Sequence, residues 1–240
     1  TDQPTGTMLL DMPLVIYKMQ DELIVAKDAC PHRGVPLSLG KNDGQGVVCR
    51  YHGLRFGSEG KCNRIPAHPE QKISERFNLK TYAAVERYGL IWCSLMAAKN
   101  ADPNIPVMPF WDDAEYQQLV CPKVDIQCFA GRQLEGFIDV AHFAWVHPET
   151  FGDPENVEVP DYTTTETDYG FSADYISCVG RYPIGLDQRG QEDFKWLRHF
   201  EISLPFTATL TIHFPNDAKQ VIMNAASPMT ARSTRLFAPI

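Results

Sequence analysis

The chain has 240 residues, of which 44% are hydrophobic and 22% charged, a composition that supports a packed core and excludes an intrinsically disordered chain. Its formal net charge of −8 argues against a nucleic-acid partner, because phosphate binding requires a basic surface. Neither a transmembrane run nor a signal peptide is visible, and the seven irregularly spaced cysteines predict reduced thiols, so we expect a cytoplasmic protein without a membrane partner.

The first part of the chain, residues 1 to about 100, is predicted to be a small all-β domain. Short apolar runs alternate with turns, and glycines recur at turn-like spacing between Gly34 and Gly60. Periodicity is lost over residues 97–106, which predicts a linker and two domains, 1–100 and 101–240. The predicted strands are Leu14–Tyr17, Glu22–Ala26, Gly46–Val48 and Gly89–Trp92.

Two short loops in this domain each offer one thiol and one imidazole. They read Cys30-Pro31-His32-Arg33-Gly34 and Cys49-Arg50-Tyr51-His52-Gly53, with sixteen residues between His32 and Cys49. A Rieske [2Fe–2S] centre takes two cysteines on one iron and two histidines on the other, which C-x-H followed by C-x-x-H supplies. The pattern therefore predicts Cys30, His32, Cys49 and His52 as the ligands of an iron–sulfur cluster.

A Cys2His2 zinc site is the alternative, since zinc binds the same two ligand types. Zinc modules more commonly pair like ligands within a loop, as C-x-x-C and then H-x-H, and the mixed loops weigh against this alternative.

The region around these loops is basic. Residues 28–64 carry six basic and three acidic side chains, a net charge of +3 in a chain of −8. Such a surface can steer an acidic ferredoxin-type partner toward a redox centre, although a scattered set of solvated charges is an equal alternative. The basic residues are Arg33, Lys41, Arg50, Arg55, Lys61 and Arg64.

Residues Leu134–Val146 predict a helix that is apolar on nearly every face, as is typical of a buried helix. Asp139 precedes His142 by three residues, so the two are expected on one helix face. His147 lies five residues after His142, about 140° further around a regular helix, so the helix must end or bulge if both bind one metal. Pro148 favours an end at His147.

This pair of histidines predicts a non-haem Fe(II) site, in which two histidines and one carboxylate leave positions open for oxygen and substrate. The alternative is a pair of hydrogen-bonded core histidines on a buried helix. From Phe171 onward the pattern is again that of strands, so the second part is predicted to be α+β with an antiparallel sheet and a hairpin turn at Asn216-Asp217. The strands are predicted over Phe200–Leu204, Thr207–Phe214, Gln220–Ala226 and Ser233–Ile240.

The two loops resemble the cluster-binding loops of the Rieske non-haem iron oxygenase family. Ile65–Pro69 and Glu86–Trp92 resemble stretches that follow these loops in its mono-oxygenase and demethylase members, and Asp139-x-x-His142-x4-His147 resembles its iron-binding helix. Two positions depart from the family pattern, Leu54 where many members have Trp and Gly136 where Asn often stands. Neither position is predicted to be a ligand.

The resemblance implies an N-terminal Rieske domain followed by a catalytic domain with a helix-grip-like antiparallel sheet. It implies that His142 and His147 bind Fe(II), with an Asp beyond Ile240 on a C-terminal helix as third ligand. It also implies that Asp139 hydrogen-bonds a cluster histidine of the neighbouring subunit and carries electrons onward. Transfer between protomers in turn implies a homotrimer.

The implied activity is that of a terminal oxygenase, either a mono-oxygenase or demethylase or a ring-hydroxylating dioxygenase. An NADH-dependent flavin/ferredoxin-type reductase would supply electrons, and O2 would be used to hydroxylate or demethylate a small, aromatic organic substrate. Aromatic-acid hydroxylation, O-demethylation and N-demethylation stay open. The alternative is a non-enzymatic Rieske electron carrier or a zinc-stabilised binding module. Either would need only the first 100 residues, so the second group of candidate residues, Asp139, His142 and His147, distinguishes an oxygenase from both.

Overall fold

The structure is a computed structural model that describes residues 3–96, 104–148, 150–177, 195–214 and 217–240. The chain divides into two units, Thr1–Ile105 and Pro106–Ile240. Most of the predicted linker, residues 97–103, lies outside the described residues, as do Cys178 and the turn residue Asn216. None of the helices in the described ranges is long and apolar enough to cross a membrane.

The described part of the first unit contains a five-stranded and a four-stranded antiparallel sheet. The first sheet has the order β1-β2-β3-β8-β9 and the second the order β4-β5-β6-β7. The strands are β1 (Thr5–Leu9), β2 (Met12–Met19), β3 (Glu22–Lys27), β4 (Lys41–Asn42), β5 (Val47–Val48), β6 (Arg55–Phe56), β7 (Cys62–Arg64), β8 (Thr81–Arg87) and β9 (Leu90–Ser94). Single 3₁₀ turns lie at Leu37–Leu39, Ser58–Gly60 and Glu75–Phe77.

The hydrophobic core of this unit includes Cys30 and Cys49, the cysteines of the two Cys/His loops. Val15, Tyr17, Leu37 and Phe56 have no exposed surface, and Cys30 and Cys49 pack in the same cluster. The four-stranded sheet carries the second loop between β5 and β6, so its short strands fix where that loop emerges.

The described part of the second unit is built on a seven-stranded antiparallel sheet of order β10-β16-β15-β14-β13-β12-β11. The α+β class predicted from the sequence is therefore confirmed. The strands are β10 (Val124–Ile126), β11 (Thr164–Thr167), β12 (Gly170–Ser177), β13 (Trp196–Ser203), β14 (Thr207–His213), β15 (Lys219–Thr230) and β16 (Ser233–Phe237), and the helices are α1 (Ala130–Ile138) and α2 (Phe143–Val146).

One face of this sheet is buried under α1 and the residues that follow it. Along β13 the buried positions alternate, as the pleat of a strand requires, so that Trp196, Arg198 and Phe200 share one face. Leu134 of α1 packs in one cluster with Phe200 and Leu210 of the sheet. This packing places the chain after α1 against the centre of the sheet.

The single helix predicted over Leu134–Val146 is wrong, because the chain leaves the helix at Asp139 and re-enters it at Phe143. The Asp139 carboxylate accepts a hydrogen bond from the backbone N–H of Ala141 (2.9 Å), an Asx-type turn that competes with helical bonding. Asp139 and His142 therefore do not share one helix face. The predicted burial on every face is also wrong, since Trp145 is 73% exposed.

Candidate functional site

The two Cys/His loops close with the same pair of backbone hydrogen bonds. In the first loop Cys30 N–H donates to the Val35 carbonyl (2.9 Å), and Gly34 N–H donates to the Cys30 carbonyl (2.8 Å). The second loop repeats this at the same offsets, through Cys49 N–H to the Leu54 carbonyl (2.8 Å) and Gly53 N–H to the Cys49 carbonyl (3.0 Å). Each cysteine is thus held by a turn of its own, independent of the other loop.

A glycine four residues after each cysteine makes this turn possible. Gly34 has φ of 72° and Gly53 has φ of 70°, in the left-handed region that residues with a Cβ seldom adopt. The two glycines noted in the sequence motifs therefore have a backbone function, and neither needs to contact a ligand.

The two thiols face inward and each other. Cys30 is 4% and Cys49 is 2% exposed, and the nearby Cys49 thiol is one of the groups that raise the pKa of Cys30. Burial raises the pKa of the Cys30 thiol to about 11, although a backbone hydrogen bond from His32 opposes the rise. Binding as a thiolate therefore requires a cation, such as iron, to displace the proton.

The two imidazoles lie on the exposed side of the loops. The ring centroids of His32 and His52 are 4.7 Å apart, and Tyr51 packs against His52 at 3.8 Å. Desolvation, together with the nearby His52 and Arg33, lowers the pKa of His32, which favours the neutral imidazole that binds metals.

This donor set fits a dinuclear cluster, with two buried thiols as one pair and two exposed imidazoles as the other. A structural zinc ion would need three or four ligands around one point. The separation of a buried thiol pair from an exposed imidazole pair therefore favours the cluster over the zinc alternative.

Four of the six basic residues near the loops form two contrasting pairs. Arg55 pairs with Asp43 at 3.2 Å and Lys61 pairs with Glu59 at 2.5 Å, so both charges are compensated. Arg33 and Arg50, each next to the exposed histidine side of its loop, are exposed and have no ion pair with any described residue.

In the second unit, His142 and His147 flank the short helix α2. His142 precedes its first residue and His147 follows its last, as Pro148 predicted, and their ring centroids are 5.2 Å apart. The break before α2 and the end after it bring together two imidazoles that a regular helix would separate. Burial, and then the neighbouring His142, lowers the pKa of His147.

Asp139 lies beside this pair with one oxygen already engaged. Its Oδ2 is 3.7 Å from His142 Nδ1, while Oδ1 accepts the Ala141 N–H. The side chain is 51% exposed. At this distance Oδ2 is not hydrogen-bonded to His142, so Asp139 presents Oδ2 to solvent or to a partner beside the histidine ring.

Both histidines line an apolar cavity of about 580 Å³ under the sheet. Its walls come from α1, from the segment around α2 and from strands β13, β14 and β15. The lining residues are Gln133, Gly136, Phe137, His142, Phe143, His147, Phe151, Trp196, Arg198, Leu210, Ile212, Gln220 and Ile222. No carboxylate lines it among the residues that the structure describes.

The sheet after residue 171 was expected to supply pocket residues, but the sequence did not identify which of its residues line this cavity. The alternation along a strand shows which residues share a face of the sheet, as Trp196 and Arg198 do. It does not show which of the two faces lies against His142 and His147. A buried arginine within an apolar alternation was the available signal.

Two protein-family models together match most of the chain. The Rieske [2Fe-2S] domain matches residues 1–83, and the vanillate O-demethylase oxygenase C-terminal domain matches residues 126–240. The chain belongs to the Rieske non-haem iron oxygenase family. The first match contains both Cys/His loops and the second contains the broken helix with its two histidines.

Relatives within the Rieske oxygenase family include demethylases. Methylxanthine N1-demethylase NdmA of Pseudomonas putida is 29% identical over 98% of this chain and 65% of its own length. A vanillate O-demethylase oxygenase subunit of Pseudomonas sp. is 33% identical over 76% of this chain and 51% of its own length. The solved structure of Pseudomonas putida CBB5 NdmA with caffeine matches with a TM-score of 0.85 and 28% identity, covering 99% of this chain and 67% of that one. The chain thus spans about two thirds of the length of NdmA.

Proposed function

We propose that this chain acts in a terminal oxygenase, which accepts electrons at a [2Fe–2S] cluster and uses them with O2 at a mononuclear Fe(II). The observation that carries the proposal is the pair His142 and His147 on the wall of an apolar cavity, in the same chain as the Cys/His loops. An electron carrier or a zinc-stabilised module would have no use for this second site.

Within this proposal, Cys30 and Cys49 hold one iron of the cluster and His32 and His52 hold the other. When bound, the cluster stores one electron at a time and the mononuclear iron activates O2. The buried thiols would shield one side of the bound cluster from water, and the exposed imidazoles would leave its other side accessible to a redox partner.

At the second site, His142 and His147 are the proposed iron ligands, and Asp139 is a positioning residue. Its Oδ2 lies 3.7 Å from His142 Nδ1, so a small movement of either side chain would form a hydrogen bond that orients the ring. Its half-exposed carboxylate also supports the expectation that it accepts a hydrogen bond from a cluster histidine of a neighbouring protomer, within a homotrimer. An NADH-dependent flavin/ferredoxin-type reductase is the proposed electron source.

The cavity supports a small aromatic substrate. Phe137, Phe143 and Phe151 line it, and a volume of about 580 Å³ suits one ring system with short substituents. The relatives act on methylxanthines and vanillate, so hydroxylation and oxidative O- or N-demethylation are the proposed reactions.

The test has two stages on the purified protein that contains this chain. The first measures the visible spectrum, iron and acid-labile sulfide, and we expect a red-brown protein with both. The second supplies NADH, a ferredoxin-type reductase and a panel of methoxylated, N-methylated and unsubstituted aromatic compounds, and measures formaldehyde and hydroxylated products. A colourless protein with stoichiometric zinc would contradict the proposal, and a reducible cluster without any product would support the electron carrier instead.

A further inference from the structure

The bases of the two Cys/His loops are closed in different ways. The second loop lies between β5 and β6, and these two strands pair directly, with Val48 opposite Arg55. The first loop lies between β3 and the 3₁₀ turn Leu37–Leu39, and β3 pairs with β2 and β8 instead of with the residues that follow the loop. A different contact therefore closes the base of the first loop.

That contact is a carboxylate that accepts two hydrogen bonds. Asp28 lies two residues before Cys30, and Ser38 lies in the 3₁₀ turn that follows the loop. Ser38 N–H donates to Asp28 Oδ1 (2.8 Å) and Ser38 Oγ donates to Asp28 Oδ2 (2.5 Å). Hydrogen bonds to a charged acceptor are roughly twice as strong as those between neutral groups. This pair, the Asp28–Ser38 clamp, joins the two ends of the first loop.

Neighbouring elements hold the clamp in place. Leu37, next to Ser38, has no exposed surface and packs in the hydrophobic core of this unit. A Cβ added at Gly6 of β1 would lie 3.0 Å from both Cβ and Oγ of Ser38, so the β1 backbone passes directly beside the serine. The position of Ser38 is thus set by the core and by β1, and the Cys/His loop itself does not determine it.

The clamp also relates the first loop to the second. After the 3₁₀ turn the chain enters β4, which pairs with β5 immediately before the second loop. Gly40 lies so close to β5 that an added Cβ would come 2.2 Å from the Val48 carbonyl oxygen. Ser38 is therefore fixed relative to the sheet that carries the second loop, and Asp28 is fixed to Ser38. The separation of the two loops depends on this series of contacts.

We propose that Asp28 is a positioning residue for the [2Fe–2S] cluster, because through Ser38 it holds the first Cys/His loop in register with the second. The inference rests on the part of the proposed function that concerns the cluster, and it adds a residue that is not a ligand. Each iron of a Rieske cluster would take one ligand from each loop, so a shift of either loop would disturb the coordination of both irons.

The experiment compares two carboxylate contacts of the same kind in one domain. Glu22, at the opposite end of β3, accepts hydrogen bonds from Ser58 Oγ (2.5 Å) and from Glu59 N–H (3.1 Å), and its partners lie outside both Cys/His loops. The test variants are Asp28→Ala, Asp28→Asn and Ser38→Ala. The matched controls are Glu22→Ala and Ser58→Ala, which remove the same kinds of hydrogen bond.

Three measurements are made on the purified protein that contains this chain. They are the rate at which an iron chelator bleaches the cluster, the electron paramagnetic resonance g values of the reduced cluster, and amide hydrogen exchange of the metal-free protein. We expect Asp28→Ala to lose its cluster about tenfold to a hundredfold faster than the native protein, with shifted g values. Asp28→Asn and Ser38→Ala each keep one of the two hydrogen bonds, so both should lie between. Exchange should rise over residues 30–38 and stay unchanged over residues 49–54.

The control variants should behave as the native protein does in all three measurements. A merely structural pair would lower the yield of folded protein but leave the g values and the bleaching rate of the folded fraction unchanged, and that result would overturn the inference. So would equal effects of Asp28→Ala and Glu22→Ala, or exchange that rises equally in both loops.

Failure of the inference is distinguishable from failure of the proposed function, because the native protein and the variants answer different questions. A native protein that forms no [2Fe–2S] cluster would remove the proposed function, and the inference with it, even if exchange showed that the clamp orders the first loop. A native cluster that Asp28→Ala retains as firmly, with the same g values, would overturn the inference alone.

Discussion

The Cys/His loops and the histidine pair are built in different ways. Each loop is closed by two backbone hydrogen bonds within six residues, and a glycine with positive φ completes the turn. The pair His142 and His147 instead depends on a break in a helix and on strands that begin at Trp196 and later in the chain, which supply the opposite wall of the cavity. The first site is thus a property of two short segments, whereas the second requires the packed sheet.

The largest expected effect is the selective loss of metal from one site while the other site keeps its own. Cys49→Ser should remove the cluster and its visible absorption completely, because a buried serine cannot replace a thiolate on iron. His142→Ala should leave the cluster intact and release the mononuclear iron. The measurements are the visible spectrum, acid-labile sulfide and total iron of each purified variant.

Cys62→Ser is the matched control for this pair. Cys62 is 8% exposed and packs in the same core cluster, yet it lies outside both loops, so its replacement should keep the cluster. Loss of the cluster in this variant and its retention in Cys49→Ser would contradict the ligand assignment.

Asp139→Asn should slow electron transfer between the cluster and the mononuclear iron while both metal sites stay intact. The amide oxygen can still accept the Ala141 N–H, so the end of α1 is kept, while the charge next to His142 is lost. We expect cluster and iron contents near those of the native protein and turnover lower by up to about a hundredfold. The decisive readout is the rate at which the reduced cluster is reoxidised with substrate and O2 present. An unchanged rate would exclude Asp139 from electron transfer.

The difference between the sites also explains what the sequence predicted. Both loops could be located because their donors and glycines are contiguous. The broken helix was wrongly predicted as continuous, because apolar periodicity carries no information about the Asp139 side chain accepting a hydrogen bond from the Ala141 backbone N–H. The edge strand Thr164–Thr167 was missed because all of its side chains are polar, and Val124–Ile126 was missed because three residues are too few for an alternation to be recognised.

A smaller effect is expected at the surface of the first site. Reversing Arg33 and Arg50 to Glu should slow reduction of the cluster by an acidic reductase about tenfold at low salt, and less as salt is added. Reversing Arg55 and Lys61 should change the rate less, because Asp43 and Glu59 already compensate them. Stopped-flow reduction at several ionic strengths measures both. Equal behaviour of the two pairs would indicate that the basic charges are merely solvated.

The smallest effect concerns Gly136, in the helix that covers the second site. A Cβ added at Gly136 would meet no atom within 4 Å, and the residue lines the cavity. Gly136→Ala should therefore raise the free energy of unfolding by about 0.5–1 kcal/mol, because alanine restricts the unfolded chain and favours the helix. Gly131→Ala in the same helix should not, because its Cβ would lie 2.6 Å from Phe129 Cε1.

The same position also tests whether the cavity needs the space that this glycine leaves. Gly136→Leu would extend a side chain into the cavity from its helical wall, so binding of a two-ring compound should weaken more than binding of a one-ring compound. Chemical denaturation gives the stability of both variants, and calorimetry gives the two affinities. A stabilised Gly136→Leu protein that binds both compounds as the native protein does would mean that substrates lie away from α1, nearer the strands that carry Trp196 and Ile212.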